Sequence, residues 1–178
     1  MPSLIHLELA NNSMEPQDFA ILFEELANSK TLISIDISNY EPDKKNRFTM
    51  ECLPAFRKFV QGSIYLQYVT MISLMLEDEL MQEILATLEQ CPNLLSLNVA
   101  SNNSSGKALE RLTNVISQTS IMHLDLSHNK LKKEGAQHLA KAIQNLKGPG
   151  REGVNLVLEN THLGSTWHCF EIPLKLFS

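Results

Sequence analysis

Apolar side chains recur along this chain in one phrase, L-x-x-L-x-L-x-x-N, in which isoleucine, valine or methionine replaces some of the leucines. The six copies of the phrase begin at Leu4, Leu32, Leu66, Leu94, Ile121 and Gly153. Their starts are separated by 28, 34, 28, 27 and 32 residues. Because the apolar positions alternate with polar ones, each copy predicts a short β-strand with one buried face.

A second apolar pattern follows each of the first five phrases and predicts a helix. In four copies the pattern opens fifteen residues after the phrase begins, at Phe19, Met81, Leu109 and Ala136. In the second copy it opens at Cys52, after twenty residues. The spacing i, i+3, i+4, i+7 places these side chains on one face of an α-helix. Each unit is therefore predicted to be a strand, a turn and a helix.

Two copies carry extra residues whose composition predicts surface loops. Glu41–Phe48 precedes the helix of the second copy, and Leu146–Gly153 follows the helix of the fifth. Both segments are rich in proline, glycine or charged residues, which favour exposed connections.

The ninth position of the phrase is asparagine in only three copies, at Asn12, Asn102 and Asn129. We expect these amides to satisfy backbone groups of the turn. The other three copies have Tyr40, Leu74 and Thr161 at this position, and their turns are predicted to be built differently.

The phrase resembles that of leucine-rich repeat proteins. With units of about 28 residues and a full helix, the chain is similar to the ribonuclease-inhibitor-like class. That class includes ribonuclease inhibitor, the Ran GTPase-activating protein, tropomodulin, the CARMIL-type actin regulators and the sensing domains of NOD-like receptors. The resemblance covers residues 4–163. It implies an α/β fold: a right-handed curved βα superhelix with a parallel concave sheet of about six strands and helices on the convex side.

The whole chain, residues 1–178, is predicted to be a single domain, with six repeats in residues 4–163 and a cap or tail in residues 164–178. Pro173 opposes a sixth helix, and apolar residues that include Trp167 and Phe170 crowd this segment. Two interpretations stay open. The segment either covers the core of the last repeat or is exposed and binds a partner.

The first strand is predicted to begin at residue 4, with no cap before it. A solenoid needs polar terminal repeats, and an uncapped strand offers unpaired backbone groups. We therefore expect the chain to be a piece of a longer solenoid, or to self-associate through this strand.

Composition narrows the class of partner and the compartment. The net charge is −5 and lysine and arginine do not collect into one stripe, so the sequence does not favour nucleic acid. No apolar run reaches the length of a membrane span, and no signal peptide precedes the first strand. The three cysteines, Cys52, Cys91 and Cys169, are scattered. These features predict a cytoplasmic, reducing environment.

The third, fifth, seventh and eighth positions of each phrase are predicted to face the open, concave side of the sheet. Glu8, Asp36 and Asp125 occupy fifth positions, and no lysine or arginine falls in these rows, so the face favours a basic partner. The third copy carries larger side chains, so Tyr68 and Ile72 are candidate contacts for a protein partner. His123 and His128 of the fifth copy are candidate partner contacts as well.

Two histidines beside one carboxylate form the strongest candidate for chemistry. His123, Asp125 and His128 lie within one phrase and could bind a metal or share a proton. The sequence that holds them is a common form of the repeat motif, however, and we expect neither a metal site nor a cofactor.

The sequence therefore predicts a noncatalytic protein-interaction module rather than an enzyme. The alternative is a GTPase regulator that acts in trans through inter-repeat loops, where Asn102, Asn103, Asn129 and Lys130 lie. A purely structural role, spacing neighbouring domains in a longer chain, is also compatible with the repeats.

Overall fold

Six three-residue strands lie side by side in one parallel sheet, in the order in which they follow along the chain. The computed structural model describes residues 3–41, 43, 45–144 and 153–163. The strands are β1 (His6–Glu8), β2 (Ser34–Asp36), β3 (Tyr68–Thr70), β4 (Ser96–Asn98), β5 (His123–Asp125) and β6 (Asn155–Val157). The predicted sheet is therefore confirmed.

A helix follows each of the first five strands. These helices are α1 (Pro16–Leu26), α2 (Leu53–Gly62), α3 (Asp78–Leu88), α4 (Leu112–Gln118) and α5 (Lys132–Gln144). Short 3₁₀ helices, Met50–Cys52 and Gly106–Arg111, precede α2 and α4. The predicted cap or tail at 164–178, with Trp167 and Phe170, lies outside the described residues, as does all of the predicted loop at 146–153 except Gly153.

The fourth helix departs from the prediction because its first part is wound as a 3₁₀ helix. The apolar pattern predicts one helix from Leu109, but α4 begins only at Leu112. Gly106, at the start of the 3₁₀ helix, packs against α5 so closely that an added Cβ would lie 2.3 Å from the backbone nitrogen of Gly135. This close approach of two backbones accompanies the tighter winding.

Equivalent positions of the phrase are neighbours across the whole sheet. The third positions form one ladder: His6, Ser34, Tyr68, Ser96, His123 and Asn155. The fifth positions form the next: Glu8, Asp36, Thr70, Asn98, Asp125 and Val157. The fourth positions between them are buried from β2 to β6 and only partly buried at Leu7. We call the side that carries the third and fifth positions the open face.

The core lies between the sheet and the helices, and five phenylalanines fill its first two repeats. Phe19, Phe23, Phe56 and Phe59 come from α1 and α2, and Phe48 joins them from the end of the predicted loop. The Phe48 ring lies 5.7 Å from that of Phe19 and 5.6 Å from that of Phe56, in edge-to-face contact. Such pairs add to the free energy gained by burying the rings. The end of the predicted loop is thus part of the core.

Two buried cysteines in this core are expected to resist alkylation. The thiol of Cys52 donates to the carbonyl of Pro16 and that of Cys91 to the carbonyl of Leu66. Burial raises the pKa of Cys52, and it raises the pKa of Cys91 to about 11. Because the thiolate is the nucleophile, iodoacetamide should label neither thiol in the native Cys169→Ser variant at neutral pH.

Mass spectrometry measures the label, with the same variant in urea as the control that reacts fully. The pKa of Cys91 is higher in the folded chain than in the unfolded one, so the protonated thiol contributes to the folding free energy. This contribution is fully present at neutral pH and is lost as the pH rises through about 11. Rapid labelling of the native chain would contradict the burial of these thiols.

Candidate interaction surfaces

Asparagine side chains join the turns of successive repeats. Asn102 is buried, and its Oδ1 accepts the N–H groups of Leu74 and Leu76 in the preceding repeat, at 2.8 and 3.3 Å. Its Nδ2 donates to three carbonyls, those of Met71, Val99 and Ala100. Asn129 makes the same five contacts one repeat later. The predicted role of the ninth position is therefore confirmed at these two residues.

In the second repeat, Asn46 performs this role in place of the residue at the ninth position, Tyr40. Its Oδ1 accepts the N–H groups of Asn12 and Met14, at 3.2 and 3.1 Å. Its Nδ2 donates to the carbonyls of Leu9, Ile37 and Ser38. The five contacts match those of Asn102, although Asn46 lies six residues later in the phrase.

The prediction that Glu41–Phe48 is a surface loop is therefore wrong at its end. Glu41 and Lys45 are exposed, but Asn46 and Phe48 are 2% exposed. The sequence did hold a signal: without residues 40–45, the second copy reads from Leu32 to Asn46 as a regular phrase, and its step falls to that of the first copy. Tyr40 to Lys45 is thus a six-residue insert, which is set into an otherwise regular repeat.

The base of the insert is fixed by a second asparagine. Asn39 accepts the N–H of Asn46 at 2.6 Å and donates to the carbonyl of Asn46 at 3.0 Å. Its amide also donates to the carbonyl of Ser73, at 3.1 Å. Asn39 therefore ties the insert to the turn of the third repeat, where Leu74 replaces the usual asparagine.

A groove of about 420 Å³ lies between the end of the insert and the third repeat. Its lining comes from two segments: Asn39, Lys45, Asn46, Arg47, Phe48, Thr49 and Met50 on one side, and Leu74, Met75, Glu77, Glu79 and Leu80 on the other. Phe48, Leu74 and Leu80 are buried, whereas Met50 and Met75 are exposed. Flexible methionine side chains suit a surface that adapts to a bound side chain.

The two walls of this groove carry opposite charges. Lys45 and Arg47 stand on the insert side, and Arg47 pairs with Glu15 at 2.9 Å. Glu77 and Glu79 are exposed on the wall of the third repeat. A ligand in the groove would therefore meet apolar side chains below and both signs of charge along the edges.

Tyr40 extends this surface toward the open face. Its ring is exposed, and its hydroxyl donates to Oδ2 of Asp36 at 2.7 Å. Burial of part of the side chain raises the pKa of Tyr40; a hydrogen bond with Ser38 opposes the rise, while Asp36 and Glu8 add to it. The hydroxyl thus stays protonated at neutral pH. The break in the repeat at Tyr40 points to this place in the sequence, but it does not predict the contact of the tyrosine with Asp36.

The predicted contacts Tyr68 and Ile72 lie in the third repeat. Tyr68 is exposed in the middle of the third-position ladder. Ile72 is half-buried, and its N–H donates to the hydroxyl of Ser38. Their role in binding stays a prediction.

Not every predicted position faces solvent. The seventh-position residues Ser38, Ala100 and Ser127 are buried, because the chain turns there and the two serine hydroxyls accept N–H groups of the next repeat. Only part of the predicted seventh-position row is therefore available to a partner.

The carboxylates at the fifth positions have a structural task. Oδ1 of Asp36 accepts the N–H of Ser38, and Oδ1 of Asp125 accepts that of Ser127, both at 2.9 Å. Asn98 makes the same bond to Ala100. Because an amide serves equally well at β4, the turn alone does not require the charge. Glu8 is exposed at the edge of the sheet.

The two histidines of the fifth phrase turn toward the last repeat, and each faces a different asparagine. Nδ1 of His123 lies 3.1 Å from Nδ2 of Asn155, and Nδ1 of His128 lies 3.4 Å from Nδ2 of Asn160. Within the described part of the chain, no group of three histidine, cysteine or acidic side chains could hold a metal ion.

Two of the loop residues predicted for a regulator acting in trans already bond to backbone groups of the turns. Asn102 and Asn129 are buried between the turns of successive repeats, whereas Asn103 and Lys130 are exposed. Only the last two could reach another protein.

The amino-terminal end of the sheet is exposed where self-association was predicted. β1 lies at the edge of the sheet, Leu4 and Ile5 are exposed, and Leu7 and Leu9 are only partly buried. Pairing through this edge stays a prediction. Over residues 3–144 and 153–163, apart from the two gaps in the insert, no helix has the length and apolar content to cross a membrane.

Comparisons with known proteins agree with this architecture. The family model described as Leucine Rich repeat matches residues 117–140, which hold β5 and the first part of α5. The solved C-terminal domain of tropomodulin from Caenorhabditis elegans is similar in structure, with a TM-score of 0.60 and 15% sequence identity over 88% of each chain. No curated protein sequence matches the chain. The chain is therefore folded as a leucine-rich repeat solenoid of the ribonuclease-inhibitor-like form.

Proposed function

We propose that this protein is a noncatalytic protein-interaction module whose partner binds the groove and the adjoining open face. One observation carries the proposal. The end of the insert and the residues after it, Lys45–Met50, meet Leu74–Leu80 of the third repeat, and the two segments form an apolar groove. Exposed apolar side chains that cluster rather than scatter mark surfaces for association.

The expected ligand is an extended protein segment with one bulky apolar side chain. That side chain would enter between Met50 and Met75, and its neighbours would meet the opposite charges of the two walls. Tyr40 and Tyr68 add aromatic contact area on the same side of the sheet, of the kind found at binding hot spots. A partly basic partner would also be attracted by Glu8, Asp36 and Asp125.

The residues that follow the insert hold it in place, so its surface can change in sequence without loss of the fold. Asn46 restores the turn and Phe48 restores the core, so these two regular contacts of the repeat come from residues outside 40–45. An intracellular setting is part of the proposal, and the buried free thiols of Cys52 and Cys91 support it.

Deletion of residues 40–45 should abolish ligand binding and leave the protein folded. The deletion joins Asn39 to Asn46. The eighth-position residue of the other five repeats has positive φ, and Asn39 tolerates that conformation well. Circular dichroism and a urea titration should show a cooperative fold. Peptides selected by display on the native chain should lose most of their affinity for the deletion variant.

A pair of point variants provides the matched control. Met75→Glu changes a residue of the groove that is 62% exposed, and Ile21→Glu changes one on α1 that is 67% exposed. The first should weaken peptide binding, and the second should not. Equal binding by the native chain, the deletion variant and both point variants would show that the groove is not the interaction site.

A further inference from the structure

The second positions of the phrase form an apolar row at the amino-terminal rim of the sheet. The row consists of Ile5, Ile33, Gln67, Leu95, Met122 and Val154. Its members are neighbours in the backbone ladder, because the N–H of each of Ile33, Gln67, Leu95 and Met122 donates to the carbonyl of the second position before it. We call these six residues the rim. All but Gln67 are apolar, although every one of these positions stays at least partly exposed; Val154 also packs against the core.

Exposed apolar residues lie both in this rim and beside it. Ile5 is 43% exposed and Met122 is 57% exposed, while the other members are half-buried. Where Gln67 interrupts the row, its neighbours in the chain include the exposed Ile64, Tyr65 and Tyr68. Large exposed apolar residues in the described segments otherwise lie at the insert and groove, apart from Leu4, which precedes Ile5, and Ile21 on α1.

A parallel row of acidic groups lies at the fifth positions. It holds Glu8, Asp36 and Asp125, and three residues along a strand place it about 10 Å from the rim. The second, third and fifth positions of all six repeats include no lysine or arginine. One edge of the open face is therefore apolar, and the strip beside it is negatively charged.

We propose that the rim binds a basic amphipathic α-helix that runs across the strands. A helix rises 5.4 Å per turn and neighbouring strands are about 4.8 Å apart, so successive turns can place apolar side chains on successive rim residues. Five strand spacings correspond to a helix of about 16 residues. The helix is about 10 Å wide, so lysine or arginine on its flank would reach the fifth-position carboxylates.

The partner is thus defined by two properties. Its apolar stripe recurs at i, i+3, i+4 and i+7, which is how a helix fills an apolar surface. Its charge is positive on the side that faces Asp36 and Asp125 and supplies the complementarity that selects it. This inference goes beyond the proposed function and does not depend on the groove, because the rim and the groove share no residue.

Binding can be measured by fluorescence anisotropy with synthetic peptides. The probe is a labelled helix of about 16 residues with a leucine stripe and lysine on the polar face. Its two controls have the lysines replaced by glutamate or the leucines moved out of register. The full chain should bind the basic helix, with an affinity that falls as salt rises, and should bind both controls at least about tenfold more weakly.

Variants of the rim locate the site. Met122→Lys should weaken binding of the basic helix by about tenfold or more, because it places a like charge in the apolar row. Ile21→Lys is the matched control on α1 and should change nothing. The double variant Asp36→Asn, Asp125→Asn should weaken binding and flatten its salt dependence. Asparagine keeps the side-chain oxygen that accepts a backbone N–H of the turn, as Asn98 does from Ala100 after β4.

Three results would overturn the proposal: equal affinity for the glutamate peptide, equal effects of Met122→Lys and Ile21→Lys, or dimerisation through the rim in sedimentation experiments. The deletion of residues 40–45 separates this proposal from the groove. The deletion frees Asp36 from the Tyr40 hydroxyl but removes no rim residue, so the variant should still bind the basic helix even if it loses every groove ligand.

Discussion

Replacement of Asn46 by alanine is expected to lower the free energy of unfolding by about 3–5 kcal/mol. The side chain satisfies two backbone N–H groups and three backbone carbonyls, four of which belong to residues at least nine positions away in the chain. Water cannot easily take its place, since Asn46 is 2% exposed. Each buried group left without a partner costs about 1–3 kcal/mol, although relaxation of the turn recovers part of that sum.

Urea denaturation of Asn46→Ala, followed by circular dichroism, measures this loss. Asn102→Ala should cost a similar amount, because Asn102 makes the same five contacts in a regular repeat. Asn114→Ala, on the exposed side of α4, should stay within about 0.5 kcal/mol of the native chain. A loss at Asn46 no larger than that at Asn114 would mean that the insert is not anchored as the hydrogen bonds indicate.

Replacement of Gly62 by alanine is expected to destabilise the protein by about 3 kcal/mol. Gly62 is the last residue of α2, and an added Cβ would lie 1.9 Å from the carbonyl oxygen of Ala27 at the end of α1. The obstacle is backbone rather than a flexible side chain, so the two helices must move apart. Alanine is the better helix former by about 1 kcal/mol, and the sign of the result therefore decides between local propensity and packing.

The control for Gly62→Ala is Gln61→Ala, one residue earlier on the exposed side of the same helix. It removes only an exposed hydrogen bond to Gln90 and should change the unfolding free energy by less than about 0.5 kcal/mol. Stabilisation by Gly62→Ala would show that the ends of α1 and α2 are farther apart than described here.

The regular part of the fold was predictable because each repeat specifies itself locally. The alternation of apolar positions identified β1 to β6, and it identified their third and fifth positions as the open face. Helix periodicity located four of the five helices well. It failed at α4, where the contact of Gly106 with Gly135 joins residues 29 positions apart and leaves no mark in the local pattern.

The seventh positions show a second limit of pattern reasoning. Alternation treats Ser38 and Ser127 as members of an exposed row, yet both are buried. The strands are only three residues long, so the rule holds for β2 and β5 and lapses two residues after each strand ends. Each serine is held by a hydrogen bond from the next repeat. The N–H of Ile72 donates to the hydroxyl of Ser38, and the N–H of Glu159 donates to that of Ser127.

The sequence by itself determined the number of strands, their order, their register and the side chains that the sheet presents to solvent. Those properties depend on contacts between equivalent positions of neighbouring repeats, which a regular period encodes. The tertiary structure decided which residues form the insert, so that Asn46 takes the place of the missing asparagine and Phe48 enters the core. It also brought Lys45–Met50 against Leu74, where the two segments enclose a groove. These features depend on hydrogen bonding and packing between segments about 30 residues apart, which a repeat period by itself does not specify.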